Sequence, residues 1–514
     1  MVFLIVLLAC ASAPAEELYN GIRLPAEWPP RIAFNYEPMD PPYLKNPPAV
    51  IPIDVGRQLF VDDFLIERTG LQRTFHTATY HPATPVLRPD KPWEQEGTSP
   101  TAMPFSGGIV YDPKDQRFKL WYMCGYVGAV CYADSTDGIR WHKPLFETRP
   151  GSNIVIPIPH DTSTVWLDHE EKDPRRRFKA WLSRPMGSQL LPMFTSPDGI
   201  RWRDADARPT VNIGDRSTVF YNPFRRVWIY SIRSGAPKYG RYRHYREHPN
   251  AAEGTRFGKD DLVPWVGADR QDSKRSDLNT DCQLYNLDGV AYESLMVGLF
   301  SIWRGQPKDR AKPNEVLLGY SRDGFHWSRP DRRPFIPVSE RYGDWNWGNV
   351  QSTAGGFLVA GDRLYFYVSG RGGVPGTTDS GASSTGLAVI RRDGFASMDG
   401  AGTLTTRPVK FSGKHLFVNV SGEVCAEVLD ASGQAIPPFT LANCTAVNED
   451  TTHKEIRWTS NLAAVAGKPV KFRFHLRRGS LYAFWVSPES SGASHGYLAG
   501  GGPGFTGPID TTGR

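Results

Sequence analysis

Apolar and polar positions alternate in short runs along most of this chain, with few stretches at helical spacing. Arg117-Phe118-Lys119-Leu120-Trp121-Tyr122 shows the pattern, and Arg177-Phe178-Lys179-Ala180-Trp181-Leu182 repeats it. Arg226-Val227-Trp228-Ile229-Tyr230-Ser231, Leu295 to Trp303, and Arg363-Leu364-Tyr365-Phe366-Tyr367 are three further cases. Each is an aromatic-rich run after a polar turn, which is how a half-buried or buried strand reads. An all-β fold is predicted.

The strands belong to a repeat. Ser135-Thr136-Asp137-Gly138-Ile139-Arg140-Trp141 recurs as Ser196-Pro197-Asp198-Gly199-Ile200-Arg201-Trp202 and as Ser321-Arg322-Asp323-Gly324-Phe325-His326-Trp327, with a worn copy at Arg391 to Phe395. Asp-Gly between apolar runs predicts a type I′ hairpin turn with positive φ at both central residues. The Trp that follows is placed on the outgoing strand, between sheets. Asp198 lies 61 residues after Asp137, and Asp323 lies 125 after Asp198, so one unit between them lacks the turn. Five units result, at about 95–145, 160–205, 214–280, 281–330 and 346–396. With roughly four strands each, they predict a five-bladed β-propeller over 50–400. Gln58 to Ile66 is expected to close the ring by pairing with the last blade. Tyr239 to Thr280 is polar and only partly strand-like. From Gly402 new alternating runs predict a small β-sandwich over 402–487. The Gly- and Ser-rich segment 488–514 is expected to be a flexible tail.

The chain of 514 residues carries 40% hydrophobic and 22% charged residues, the balance of a globular protein. Its formal net charge of +6 is too small and too scattered for nucleic acid, yet suits an anionic ligand. Val2 to Ala9 is apolar but too short to span a bilayer. Ala13-Pro14-Ala15 before Glu16 fits signal peptidase cleavage of residues 1–15. Leu7-Leu8-Ala9-Cys10 also fits a lipobox, which would lipidate Cys10 and anchor the protein at the outer membrane. Either reading predicts export to the periplasm or beyond. Cys124 and Cys131 can face each other across a hairpin, and Cys425 and Cys444 can staple the C-terminal part. Metal-ligand spacings are absent; no cofactor is expected, and a structural calcium ion is left open. The oligomeric state is also open.

Leu59-Phe60-Val61-Asp62-Asp63-Phe64-Leu65-Ile66-Glu67, Pro85-Val86-Leu87 with Pro92-Trp93-Glu94, and the Asp-Gly-Ile-Arg-Trp turns together resemble a family of secreted bacterial proteins. These are glycosyl-hydrolase-like five-bladed propellers with a C-terminal β-sandwich, and the resemblance covers about 50–487. The superfamily includes invertases, levansucrases, arabinanases, xylosidases and β-mannoside phosphorylases. The Pro-Val-Leu and Trp-Glu stretch is similar to the first-blade entrance of the phosphorylases. The invertase signature Trp-Met-Asn-Asp-Pro-Asn-Gly is absent, as is an Arg-Asp-Pro followed by Glu-Cys. The resemblance implies a carbohydrate substrate at one end of the central channel and carboxyl groups on the innermost strands.

Glycoside cleavage uses one carboxyl to protonate the leaving oxygen and another to activate water or attack. Asp161 precedes Thr162-Ser163-Thr164-Val165, and Asp215 precedes Arg216-Ser217-Thr218-Val219, so the two occupy the same place in successive units. Glu293 lies in an apolar strand, where desolvation suits a general acid. Asp161, Asp215 and Glu293 are the expected catalytic set. Glu96, Arg216, Arg243, Trp347, Asn349 and Arg371 are expected to bind substrate: arginine forks grip carboxylate or sulfate, and indole faces stack on sugars. These features point to a secreted glycoside hydrolase acting on a plant or algal polysaccharide or oligosaccharide with anionic groups. A non-catalytic carbohydrate-binding propeller at the cell surface is the alternative, and a polysaccharide lyase is a third.

Overall fold

The computed structural model describes residues 16–183 and 190–514; the Val2–Ala9 run, Cys10 and the Ala13–Ala15 motif lie outside them. The predicted runs become five antiparallel sheets. Blade 1 holds Ala102–Met103, Ile109–Asp112, Arg117–Cys124, Ala129–Ser135 and Ile154–Ile156. Blade 2 holds Thr162–Leu167, Phe178–Ser183, Met193–Ser196 and Arg203–Ala207. Blade 3 holds Thr218–Asn222, Val227–Ala236, Gly240–His248 and Val263–Gly267, so the polar stretch after Tyr239 does supply two strands. Blade 4 is built on Gln283–Glu293, Leu295–Trp303 and Asn314–Ser321. Blade 5 is built on Asn349–Gln351, Leu358–Ala360, Arg363–Arg371 and Ser383–Arg391.

Five apolar clusters hold the blades in a ring, each shared by two neighbours. Trp121 and Val130 of blade 1 pack with Phe178 and Leu182 of blade 2. Trp181 packs with Trp228 between blades 2 and 3. Trp265 packs with Phe300 and Trp327 between blades 3 and 4. Leu299 packs with Phe366 between blades 4 and 5, and Tyr367 with Phe118 between blades 5 and 1. The ring is a five-bladed propeller.

The repeated turns fasten the blades, by a geometry other than type I′. In all three full copies only the Gly has positive φ, at 72°, 80° and 83°. The Asp stays in an ordinary conformation because its carboxylate takes the amide hydrogens a tight turn would leave free. Asp198 Oδ1 accepts from the amides of Ile200 (3.0 Å) and Arg201 (2.9 Å), and Ser196 Oγ accepts from Gly199 (2.9 Å). Each turn also receives a hydrogen bond from the preceding blade. Trp121 Nε1 donates to Gly199 O at 2.7 Å, Trp265 Nε1 to Phe325 O at 2.8 Å, and Tyr367 Oη to Gly138 O at 2.7 Å.

Ring closure differs from expectation. Gln58–Leu59 pairs with Phe484 and Ala483 of the C-terminal sheet. The last blade is closed instead by Thr79–Tyr80, which pairs with Ala388 and Val389. An apolar run buried on both faces satisfies either sheet equally, so composition alone does not choose between them. Ile66–Thr69 and Gln72–Phe75 join the same C-terminal sheet, against Gly402–Thr406 and Ala396–Asp399. The C-terminal unit is organised by the long strands His415–Leu429 and Lys471–Ser487. Cys124 and Cys131 form a disulfide, whereas Cys425 and Cys444 are free thiols.

Segment 488–514 is packed against the far end of the channel. Tyr497–Leu498 pairs with Glu293 and Tyr292. Beyond it, Ala499 N donates to Ala291 O, Gly500 N to Phe357 O, and Val359 N to Gly501 O, at 3.0, 2.9 and 2.9 Å. A Cβ on Gly500 would lie 2.7 Å from Ile109 O. The glycines read as a sign of mobility are what lets backbone lie on backbone here.

Gly199 tests the fastening. Its φ is 80°, and an added Cβ would sit 2.3 Å from the Trp121 ring. Gly151 has φ 73° with nothing within 4 Å. Gly151→Ala is expected to cost about 1 kcal/mol. Gly199→Ala is expected to cost about 2–4 kcal/mol, because the clash adds to the backbone strain. Denaturant unfolding of both variants measures the difference, and equal losses would contradict an inter-blade role for this turn.

Candidate functional site

The innermost strands set three levels along the channel. At mid-depth, Asn286 Nδ2 donates to Ser106 Oγ and to Ser352 Oγ, both at 3.0 Å, and Thr218 Oγ1 donates to Leu287 O at 2.7 Å. These contacts cross between blades 1, 3, 4 and 5. Residues that precede this level on their strands gather at one mouth, and residues that follow it reach the opposite end, under segment 488–514.

The mouth is crowded with cations. Arg216, Arg233, Arg241, Arg243, Lys312 and Arg371 converge there, and two carboxylates, Asp161 and Asp215, sit among them. Asp161 lies just ahead of Thr162–Leu167, where its Oδ1 accepts from Arg216 Nη2 at 3.1 Å and its carbonyl from Arg216 Nη1 at 2.8 Å. Asp215 pairs with Arg233 at 3.2 Å. The Arg216 guanidinium lies 3.7 Å over the Phe105 ring, and that of Arg371 lies 5.6 Å from the same ring. Arg371 is also 5.2 Å from the Tyr126 ring, and Lys312 is 4.8 Å from the Tyr285 ring. Arg243 is fully buried and donates to Tyr285 O (2.7 Å) and Asn286 Oδ1 (3.1 Å).

Burial removes water from these groups faster than the protein replaces it. Among the described residues, Arg216 Nε, Arg241 Nε, Arg243 Nε and Nη1, and Arg371 Nε and Nη2 are buried without a protein acceptor. Asp161 Oδ2 and Asn349 Oδ1 lack a donor. A buried polar group left unpaired costs about 1–3 kcal/mol, more when charged. Each such group calls for a partner that the protein does not supply, which water or a ligand can provide; buried arginine nitrogens without an acceptor also occur at Arg57, Arg329 and Arg392, away from the mouth. The charges also tune their neighbours. Arg371, with Arg216 behind it, draws the Tyr126 phenol below its usual pKa. Burial pushes Tyr285 up, but Arg216 and Lys312 outweigh it and bring the phenol below its usual value. Asp288, sealed under the mouth against Ser106 and Asn286, is raised to about 6 by burial.

Tyr126 is held on a short, clamped hairpin. The Cys124–Cys131 disulfide closes the loop that carries it, and the imidazole of buried His160 is 2.8 Å from Gly128 O. Neither Tyr126 nor Tyr285 was among the residues expected from sequence. Tyr126 sits between two glycines in an ordinary-looking loop, and only the partnership of the two cysteines pointed to it.

The expected residues divide. Asp161, Asp215, Arg216, Arg243 and Arg371 meet at the mouth. Trp347 and Asn349 open blade 5 at its rim, where Asn349 Nδ2 donates to Lys312 O at 2.8 Å and Arg310 lies 4.7 Å over the Trp347 ring. Glu96 is near the Tyr126 hairpin, but its carboxylate is taken by Arg149 at 2.7 and 3.0 Å.

Glu293 is not at the mouth. At about 3.3 Å per residue, the strand from Tyr285 carries it roughly 26 Å away. There it is fully buried in a charge cluster that joins propeller, C-terminal sheet and tail. It accepts from Ser494 Oγ (2.7 Å), Arg57 N (3.1 Å) and Arg392 Nη2 (3.3 Å), beside the Arg57–Asp393 pair at 2.9 Å. An apolar strand does raise a carboxyl's pKa, as expected, and burial does so for Glu293. It says nothing about which end of the channel the carboxyl occupies. Glu293→Ala removes one carboxylate from Arg57 and Arg392, which keep Asp393 and Asp510, together with a buried side chain and its hydrogen bonds, and is expected to destabilise the fold by about 2–4 kcal/mol. Denaturant unfolding checks this; unchanged stability would contradict a structural role.

No family model and no curated protein matches the chain. Among solved structures it is similar to a thermostable family-43 glycoside hydrolase, at 10% identity over 57% of this chain and 93% of that chain, with a TM-score of 0.39. It is similar to a structure from a mannoside phosphorylase family described as containing hydrolases that target β-1,2 mannosidic linkages in Candida mannan, at 12% identity over 62% and 94%, TM-score 0.39. A third is the β-fructofuranosidase of Schwanniomyces occidentalis with fructosyl-erythritol, at 12% identity over 84% and 98%, TM-score 0.35. The solved structures it resembles are thus glycoside hydrolases, and at these scores the likeness carries no argument about this chain's own chemistry.

Proposed function

We propose that the mouth binds an anionic polysaccharide or oligosaccharide, of plant or algal type, and that the protein cleaves a glycosidic bond there. The observation that carries this is the excess of buried cations over carboxylates at the mouth, with guanidinium N–H groups left without protein acceptors. Forked guanidinium groups suit carboxylate or sulfate. The Trp347 and Tyr126 rings at the rim suit sugar faces. Asp161 and Asp215 are the carboxylates in reach for hydrolysis, one as acid or base and the other as nucleophile or orienting group. Export belongs to the same proposal, supported by the Val2–Ala9 run and by the Cys124–Cys131 disulfide, which suits an oxidising compartment.

One observation favours a second reading, a binding module without catalysis. Asp161 and Asp215 are each ion-paired to an arginine, and the third expected carboxyl, Glu293, is at the other end of the channel.

Mass spectrometry of products from a panel of neutral, uronic and sulfated glycans tests both. Release from acidic glycans is expected, and Asp161→Asn or Asp215→Asn is expected to slow it by about 100-fold or more if the carboxylates transfer protons. Binding without product from any glycan would establish the second reading. Absence of binding to any acidic glycan would overturn both.

A further inference from the structure

The two carboxylates of the mouth, Asp161 and Asp215, each lie against a guanidinium group, at 3.1 and 3.2 Å. The raised carboxyl, Asp288, is 2% exposed and occupied by Ser106 and Asn286. What the mouth does hold is a phenol beside two guanidinium groups that keep N–H nitrogens without a protein acceptor. Tyr126 is half-buried and packs with Met103, Phe105 and Met123, and its hydroxyl has no hydrogen-bond partner among the described residues. Arg371 and Arg216 flank it across the Phe105 ring, with three of their N–H nitrogens unpartnered. Arg371 Nη1 is fixed by Ser380 Oγ at 2.8 Å and Arg216 by Asp161, so both forks are held in place before any ligand arrives.

We propose that this constellation recognises the carboxylate of a uronic acid residue and that Tyr126 is its catalytic residue, cleaving the chain by β-elimination. The inference keeps the acidic glycan of the preceding reading and changes the step that breaks the bond. Arg216 and Arg371 hold the uronate carboxylate. The Tyr126 phenolate takes the C5 proton, and the negative charge that develops on the carboxylate is met by the two guanidinium groups. The C5–H electron pair becomes the C4–C5 double bond as the C4–O4 bond breaks. O4 leaves with the proton that Tyr126 has just taken, which returns the phenolate. The products are a 4,5-unsaturated uronate and a free hydroxyl on the departing sugar. No water, oxidant or metal ion enters the balance. The lowered phenol pKa at Tyr126 agrees with this role, since it raises the fraction present as base.

The test uses the full chain with homopolymers of galacturonate, glucuronate and mannuronate, and with the same polymers neutralised by methyl esterification or by carboxyl reduction. Product is followed both by the ultraviolet absorbance of the conjugated double bond and by new reducing ends. At least one free-acid polymer is expected to give both signals in equal amounts. Tyr126→Phe is expected to lower the rate by about 100-fold or more while polymer affinity stays unchanged. Circular dichroism of the variant confirms its fold. Reducing ends without ultraviolet absorbance would overturn the elimination and leave the acidic-glycan reading standing, as would binding without product. A full rate in Tyr126→Phe would remove the role of that residue. No binding to any free-acid polymer would overturn both.

Discussion

Arginine side chains drawn out of water at the mouth of a β-propeller are the constraint around which this molecule is arranged. Arg216, Arg243 and Arg371 are 2%, 0% and 3% exposed, and each keeps N–H donors without a protein acceptor. Leaving them so is expensive, and the rest of the fold is what holds the arrangement against that cost. Phe105 supplies an aromatic face for Arg216. Asp161 and Ser380 take one side of the two forks and leave the other side open. The disulfide-clamped hairpin sets Tyr126 beside them.

The ring that supports the mouth is tied in two ways. Between blades the ties are apolar clusters and the turn carbonyls that receive indole and phenol hydrogens, as at Trp121 and Gly199. Along the channel axis the ties are ionic. Arg57, Glu293, Arg392 and Asp393 lie under the far end, where the tail, the C-terminal sheet and blade 4 meet. The two ends of one channel therefore gather the same residue types in a different balance. At the far end Arg57 and Arg392 are met by Glu293, Asp393 and Asp510, although both keep nitrogens without an acceptor; at the mouth the cations outnumber the carboxylates. The balance of charge separates the two clusters, and burial does not.

The blade count was legible because each unit repeats an aromatic strand and, in three cases, a Ser-x-Asp-Gly turn whose side chains bond their own backbone. That Asp161, Asp215 and Arg216 gather at one end of the channel was legible because their places in successive units are equivalent, and equivalent places in a propeller share a mouth. Glu293 was misplaced because an apolar run reports burial but not depth along the strand. The sheet that Gln58–Leu59 joins is not legible, because a two-residue strand carries no mark of its partner. Segment 488–514 is glycine-rich yet packed, because glycine serves close backbone contact as readily as it serves freedom. Tyr126 was invisible because its surroundings come from Arg216 and Arg371, which are distant in sequence and approach it only once the ring has closed.

Isothermal titration of the protein with a free-acid uronate oligosaccharide, and with the same oligosaccharide as its methyl ester, bears most directly on the mouth as an anion site. The acid is expected to bind with an affinity that falls as salt rises, and Arg371→Ala is expected to abolish the preference over the ester. Equal binding of acid and ester, with no dependence on salt, would contradict it.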